Sequence, residues 1–229
     1  MAVAATPRIS VVMPALDEAA RIDDSLAALA PLRERGHEVI VVDGGSKDDT
    51  PARAARGADI VIAGPLGRAR QMNAGAAAAC GEILLFLHAD TLLPPGADRA
   101  VLEALAWGAD WGRFDVAIDG RSPMLRVVST MMNLRSRCSG IATGDQALFV
   151  RRQVFERLGG FPDQPLMEDV EMSRRLLVVG TPACLRERVS TSGRRWETRG
   201  VWRTVFLMWA LRWHYWRGRS AEALARAYE

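Results

Sequence analysis

Lysine is almost missing from this chain: Lys47 is the only one in 229 residues, so nearly all the positive charge is carried by arginine. Planar guanidinium forks suit phosphate and carboxylate recognition, but an arginine bias spread along a whole chain marks no site, and only local clusters carry weight. Cysteine is sparse as well. Cys80, Cys138 and Cys184 are odd in number, far apart and outside any CxxC spacing, which suggests neither a disulfide framework nor a zinc site and leaves buried or inert thiols. Also lacking are apolar runs of the ~18 to 20 residues that a bilayer-crossing helix needs, and the first residues show no basic stretch followed by an apolar core. The expectation is a soluble, cytoplasmic protein. The net charge of +3 is modest and no RNA- or DNA-binding signature accompanies it, so nucleic acid is not expected as a partner. Neither an internal repeat nor a low-complexity linker divides the chain, which predicts one well-buried domain over residues 1–229.

What the chain does have is alternation. A β-branched run from Ile9 to Met13 stops at Pro14, and residues 20–35 follow with Ile22, Leu26, Leu29 and Leu32 at helical spacing. The pattern repeats as a strand over 38–42 ending at Asp43, a helix over 50–56, a strand over 59–63, an alanine-rich helix over 68–79 and an apolar strand over 83–87. This predicts an α/β fold of right-handed βαβ units, with a mostly parallel central sheet flanked by helices. Residues 1–90 read as a nucleotide-binding half. After Leu93-Pro94-Pro95-Gly96 the alternation loosens. Helices are expected over 97–107, 122–137 and 168–179, strands over 111–118, 146–150 and 183–189, and C-terminal helices over 201–217 and 220–228. This second half, 91–229, is expected to build the other wall of a cleft.

Open α/β sheets bind ligands beyond the carboxyl ends of their strands. Three segments meet there: Pro14-Ala15-Leu16-Asp17-Glu18, the turn from Asp43 through Gly45 and Ser46 to Thr50, and His88-Ala89-Asp90. Asp90 is delivered by a buried strand to the place where a ligand or metal is expected. Asp43 suits a hydrogen bond to a ribose or base, and the glycines after it let backbone approach a ligand. Asp48, Asp49 and Thr50 read as the charged start of the next helix. Thr143-Gly144-Asp145-Gln146 is a glycine turn with two polar side chains, suited to substrate contact or to an ordinary turn.

Together these segments resemble the family-2 glycosyltransferases with the GT-A fold, a Rossmann-like single domain. In that family one strand ends in proline and an acidic loop, as at Pro14 to Glu18, and another in Asp-Gly-Ser-like residues, as at Asp43 to Ser46. The family's Asp-x-Asp motif aligns with His88-Ala89-Asp90, which implies a Mg2+ or Mn2+ ion on Asp90. His88 replaces the first acid and is either a second ligand or a hydrogen-bonded structural residue. The resemblance implies donor contacts from Pro14, Ala15, Glu18, Asp43, Gly45, Ser46, Arg70, Asn73, Ala89 and Asp90. It implies Asp169, with Glu168 second, as the acceptor-side carboxylate, a general base in inverting members. Gly144, Asp145 and Gln146, with Arg194 and Arg195 in a late flexible loop, are the implied acceptor contacts.

Segments 142–152, 165–169 and 191–197 further resemble a compact bacterial subgroup associated with selenium metabolism, the selenosugar synthases of selenoneine biosynthesis. The implied reaction joins a UDP-N-acetylhexosamine to selenophosphate. That anion needs arginine guidance more than a base, and Arg135, Arg137, Arg151, Arg152, Arg194 and Arg195 are available. In that case Asp169 positions substrate. A conventional transferase with a lipid or sugar-alcohol acceptor, and a nucleotide-sugar-binding protein without catalysis, are the other two readings. Trp202, Phe206, Trp209, Trp213 and Trp216 form a helical stripe, expected to pack on the domain or on a second copy in a homodimer rather than on a membrane.

Overall fold

A computed structural model describes residues 7–228. Strands β1 (Ile9–Ala15), β2 (Glu38–Asp43), β3 (Ile60–Ala63) and β4 (Ile83–Phe86) alternate with helices α1 (Ile22–Glu34), α2 (Thr50–Gly57) and α3 (Arg68–Ala78). The four strands are parallel, and successive side chains along each feed opposite layers. Val11, Met13, Val39, Val41, Ile83 and Leu85 pack with α1 and α2, whereas Val12, Ile40, Val42, Leu84 and Phe86 pack with α3. Burial on both faces is why these strands read as unbroken apolar runs. Helix α3 rests directly on β1, because a Cβ at Gly75 would overlap Val12.

Beyond β4 the chain continues through β5 (Thr91–Leu92), α4 (Ala97–Ala106), β6 (Trp111–Asp119), α5 (Met124–Ser139), β7 (Phe149–Arg151), α6 (Arg152–Arg157), α7 (Glu168–Leu177) and β8 (Ala183–Ser192). All these strands join one sheet in the order β3-β2-β1-β4-β7-β6-β8-β5. Strand β7 is antiparallel to β4 and β6, and β5 to β8, while β6 and β8 are parallel. The sheet is therefore mixed and mostly parallel. Because β7 is reversed, the turn that precedes it lies at the carboxyl end of β4. That reversal carries the second half of the chain to the site.

Helix α5 is fixed to β6 by polar groups. Asn133 brackets Val116, accepting from its N–H at 2.9 Å and donating to its carbonyl at 3.0 Å. The fully buried Arg113 pairs with Asp115, which also accepts from Arg137 at 2.8 Å.

Some local expectations are corrected. The strand expected over 146–150 begins only at Phe149, because Thr143 and Gln146 cap one another across a 3-10 turn over Gly144–Gln146. Strand β8 runs to Ser192, beyond 189, since β6 and β5 both pair along its end. The segment with Arg194 and Arg195 is no loop but the start of α8 (Arg194–Arg199), followed by α9 (Val201–Trp216) and α10 (Ala221–Tyr228). The aromatic stripe of α9 does not pack on the domain. Its rings are 55–73% exposed, whereas Thr204 and Leu211 face inward, Leu211 against Met167 and Leu224. Among the described residues no helix is long and apolar enough to cross a membrane.

Candidate active site

The carboxyl ends of β1 and β4 open into a cleft of about 300 Å³. Pro14, Ala15 and Glu18 line it from β1, His88, Ala89 and Asp90 from β4, Gly144 and Asp145 from the 3-10 turn, Glu168 and Asp169 from α7, and Arg194 and Arg195 from α8. Buried Gln71 ties the strand ends together beneath it, donating from Nε2 to the carbonyls of Ala15 and Val42 at 2.8 Å each. The loops after β1 and β2 are also stitched to one another. Ser46 Oγ accepts from the Asp17 N–H at 2.9 Å, Asp17 Oδ1 from the Lys47 N–H at 2.7 Å, and Thr50 Oγ1 from the Glu18 N–H at 2.8 Å. These bonds hold Asp17 at a φ of +53°, left-handed backbone that a non-glycine residue adopts only under such constraint.

Ser25 Oγ donates to the Ala89 carbonyl at 2.6 Å and fixes the 88–90 loop on α1. Asp90 makes no ion pair among the described residues; its side chain meets only Thr91 Oγ1, at 3.4 Å. Glu18 lies close enough to feel it. Burial first, then the Asp90 carboxylate, raise the Glu18 carboxyl above its usual range, with Arg194 and Arg21 opposing and Asp48 adding to the rise. Two carboxylates at one edge suit a divalent cation. No three His, Cys, Asp or Glu side chains among the described residues converge into a cage, so such an ion would keep waters or ligand oxygens, as Mg2+ habitually does.

His88 faces the 3-10 turn. Its Nδ1 is 3.4 Å from Asp145 Oδ1, and the ring lies over Gly144, where any Cβ would overlap it. The Nδ1 edge is thus taken by Asp145, whereas Nε2 makes no hydrogen bond among the described residues, an arrangement that a histidine ligand and a structural histidine share. Burial pushes the Asp145 carboxyl up, but His88, with Arg68 and Arg195, outweighs it and holds the group below the usual range.

Helix α7 begins after Met167, which takes a φ of +64°. Asp169 Oδ2 accepts from the Gly144 N–H at 2.8 Å and Oδ1 from the Val170 N–H at 2.7 Å, clamping the 3-10 turn to the helix start. Glu168 is buried, 3.6 Å from Arg68. Its carboxyl is raised by burial and by the Asp169 charge, with Arg68 pulling the other way.

Other expected contacts lie elsewhere. Asp43 is buried and accepts from the Gly45 N–H at 3.0 Å and the Ser46 N–H at 3.1 Å, so these three residues build a turn beside the cleft rather than its lining. Arg70 is paired bidentately with Asp163 at 2.6 and 3.0 Å. Asn73 holds Phe161 through both its amide groups, at 2.9 Å each, and Gln146 is sealed in its capping turn. Arg70 and Asn73, expected as donor contacts, and Gln146, expected as an acceptor contact, are thus not among the residues that line the cleft. Arg137, Arg151 and Arg152 are likewise engaged, with Asp115, with Asp110 and the Leu105 carbonyl, and with the carbonyls of Ala79 and Gly81. Arg212 is the residue that sequence reasoning missed. Met208, Leu211 and Arg212 share one face of α9, the face that closes the cleft, and their i, i+3, i+4 spacing was the available signal.

Residues 10–159 match the family model described as glycosyl transferase family 2. Glucosyl-3-phosphoglycerate synthase of Mycobacterium tuberculosis is 36% identical over 96 residues, a stretch covering 38% of this chain and 30% of that protein. The chain thus matches less than a third of that relative's length. The same synthase, solved with Mn2+, UDP and phosphoglyceric acid, superposes with a TM-score of 0.59 at 23% identity, over 82% of this chain and 70% of that one. A mannosyltransferase of Pyrobaculum calidifontis, solved with GDP-Man and Mn2+, gives a TM-score of 0.61 at 24% identity, over 82% and 57% of the two chains. S. aureus TarS residues 1–349, solved with UDP-GlcNAc, gives 0.64 at 16% identity, over 81% and 58%. The fold is of the GT-A type.

Proposed function

This chain belongs to glycosyl transferase family 2, and from that premise we propose that it moves a sugar from a UDP-sugar, first among them a UDP-N-acetylhexosamine, to a small anionic acceptor. The observation that carries the reading is one cleft in which Asp90 and Glu18 stand on the donor side, Asp169 on the other, and Arg68, Arg194 and Arg195 between. Pro14, Ala15, Glu18 and Ala89 receive the nucleotide, and the turn built by Asp43 shapes its nucleoside end. Asp90 would hold Mg2+ or Mn2+, and the ion would supply Lewis-acid stabilisation of the charge that develops on the departing diphosphate. Arg194 and Arg195, expected on the acceptor side, are assigned instead to the diphosphate oxygens, because Arg194 has Glu18 and Arg195 has Asp90 among its charged neighbours. That related folds have been solved with UDP, GDP-Man or UDP-GlcNAc, and one with phosphoglyceric acid, supports this donor and acceptor class.

The specific acceptor we propose is selenophosphate, supported by the resemblance of segments 142–152, 165–169 and 191–197 to the selenium-associated subgroup. As the carbon–selenium bond forms at the anomeric carbon, the carbon–oxygen bond to the diphosphate breaks and UDP leaves with the electron pair. No proton has to be removed. Asp169, whose oxygens both accept backbone N–H groups, then positions the acceptor rather than acting as base. Asp169→Asn separates the roles: turnover retained within about tenfold fits positioning, whereas loss of ~10²-fold or more is the mark of a base. The direct test is a panel of UDP-sugars with Mg2+ or Mn2+ and selenophosphate or alcohol acceptors, following UDP release and product mass. If no UDP-sugar is consumed under any condition, the reading fails.

The exposed aromatic stripe of α9 favours a second reading, a lipid acceptor. Co-sedimentation with anionic liposomes, together with UDP release only when a lipid alcohol is supplied, would favour it over the first.

A further inference from the structure

Arg113, the one arginine buried outright among the described residues, pairs with Asp115. Arg135 on α5 and Arg212 on α9 are half-buried and have no such acid. Neither forms an ion pair among the described residues. Arg135 Nε and Nη2 are buried without a hydrogen-bond partner, and Nη1 reaches only the Ile141 carbonyl at 3.4 Å. Burial, then the neighbouring Arg212 charge, push the Arg135 guanidinium down to about 10, with Asp169 opposing. Burial lowers Arg212 too, against Asp169 and Asp145. Buried N–H groups left without a partner are costly on a charged side chain, and a second like charge nearby adds repulsion. Asp169 is a single carboxylate facing two guanidinium groups, and its oxygens accept from the Gly144 and Val170 N–H groups rather than from either arginine.

We infer that Arg135 and Arg212 form an oxyanion subsite on the acceptor side of the cleft, taking a phosphate-like tetrahedral anion beside Asp169. Such an anion offers several acceptor oxygens and enough charge for two guanidinium forks, where a single carboxylate would satisfy one. The location separates it from the donor diphosphate. Arg194 has Glu18 as a charged neighbour and Arg195 has both Asp145 and Asp90, whereas Asp169 is the acid common to Arg135 and Arg212, and neither of these has Glu18 or Asp90 as a neighbour. Arg212 lines the open cleft, so the subsite is reachable from solvent. That the anion belongs to the acceptor rests on the glycosyl-transfer reading.

The test titrates inorganic phosphate into wild type, Arg135→Met, Arg212→Met and Arg212→Lys by calorimetry and thermal shift, with UDP plus Mn2+ titrated in parallel. Phosphate raises the wild-type Tm with concentration. Each methionine variant binds it at least about tenfold more weakly, the loss expected for one set of charge-assisted donors, and Arg212→Lys is intermediate. UDP affinity stays within about twofold of wild type. Without phosphate the methionine variants melt at or above the wild-type temperature, because the repulsion is gone. No phosphate binding by wild type, unchanged phosphate affinity in both methionine variants, melting well below wild type in either, or a parallel loss of UDP affinity would each overturn the assignment. Phosphate binding lost in the variants of a protein that binds no UDP would uphold the subsite and remove the donor reading instead.

Discussion

Gly144 has no side chain because the His88 ring occupies the space where one would stand. Gly144→Ala is therefore expected to displace the imidazole, loosen its contact with Asp145 and cost about 1–3 kcal/mol in urea unfolding, the usual range for overpacking. UDP release from a productive donor should fall with it. Glu168 gives a prediction with a sign. Burial raises its carboxyl above the ordinary glutamate value of 4.5, so its contribution to stability is full below that value and is lost as pH rises through the folded value. Glu168→Gln should consequently be more stable than wild type at pH 7, with the gap closing toward pH 4.5 in paired thermal melts. Single residues also show what a sequence conceals. Pro14, Ala15, Glu18, Ala89 and Asp90 were legible because a strand end points to the sheet edge whatever lies opposite. Asn73 was not, since its partner Phe161 is 88 residues away and nothing local distinguishes a ligand contact from a structural clamp.

At the scale of elements, helices and strands of the first half were readable from periodicity because β1, β2 and β4 are buried as expected of βαβ units, with β3 the half-buried edge. The second half is harder for a physical reason. Strand β7 is short and reversed, and the glycine turn before it is set by a capping box between Thr143 and Gln146 rather than by any run of apolar residues. Helix α9 misled in another way. Its aromatic stripe dominates the sequence pattern, yet the exposed rings lie away from the cleft, which is closed by the quieter face with Leu211 and Arg212. The join between β6 and α5 rests on Asp115, which serves both Arg113 and Arg137. Asp115→Ala leaves the fully buried Arg113 uncompensated and is expected to cost ~3–5 kcal/mol in chemical denaturation. A loss below about 1 kcal/mol, the scale of an exposed pair, would contradict that account.

For the whole molecule, one sheet runs through both halves of the chain and apolar clusters cover its two faces without a break between residues 1–90 and 91–229. A single cooperative transition is expected, with far-ultraviolet and near-ultraviolet circular dichroism coinciding; separate transitions would divide the chain into two domains. The cleft depends on that unity, because Glu18 and Asp90 come from the first half and the clamp of Asp169 on Gly144 from the second. The central claim is that Asp90 anchors a divalent cation under a nucleotide-sugar diphosphate. Calorimetric titration of UDP-N-acetylglucosamine into wild type and Asp90→Asn, each with and without Mn2+, tests it most directly. Metal-dependent binding by wild type that falls at least about tenfold in Asp90→Asn, the loss expected for a ligand of an ion, is the predicted result. Equal affinity in both proteins, or no binding of the nucleotide sugar with either Mn2+ or Mg2+, would contradict it.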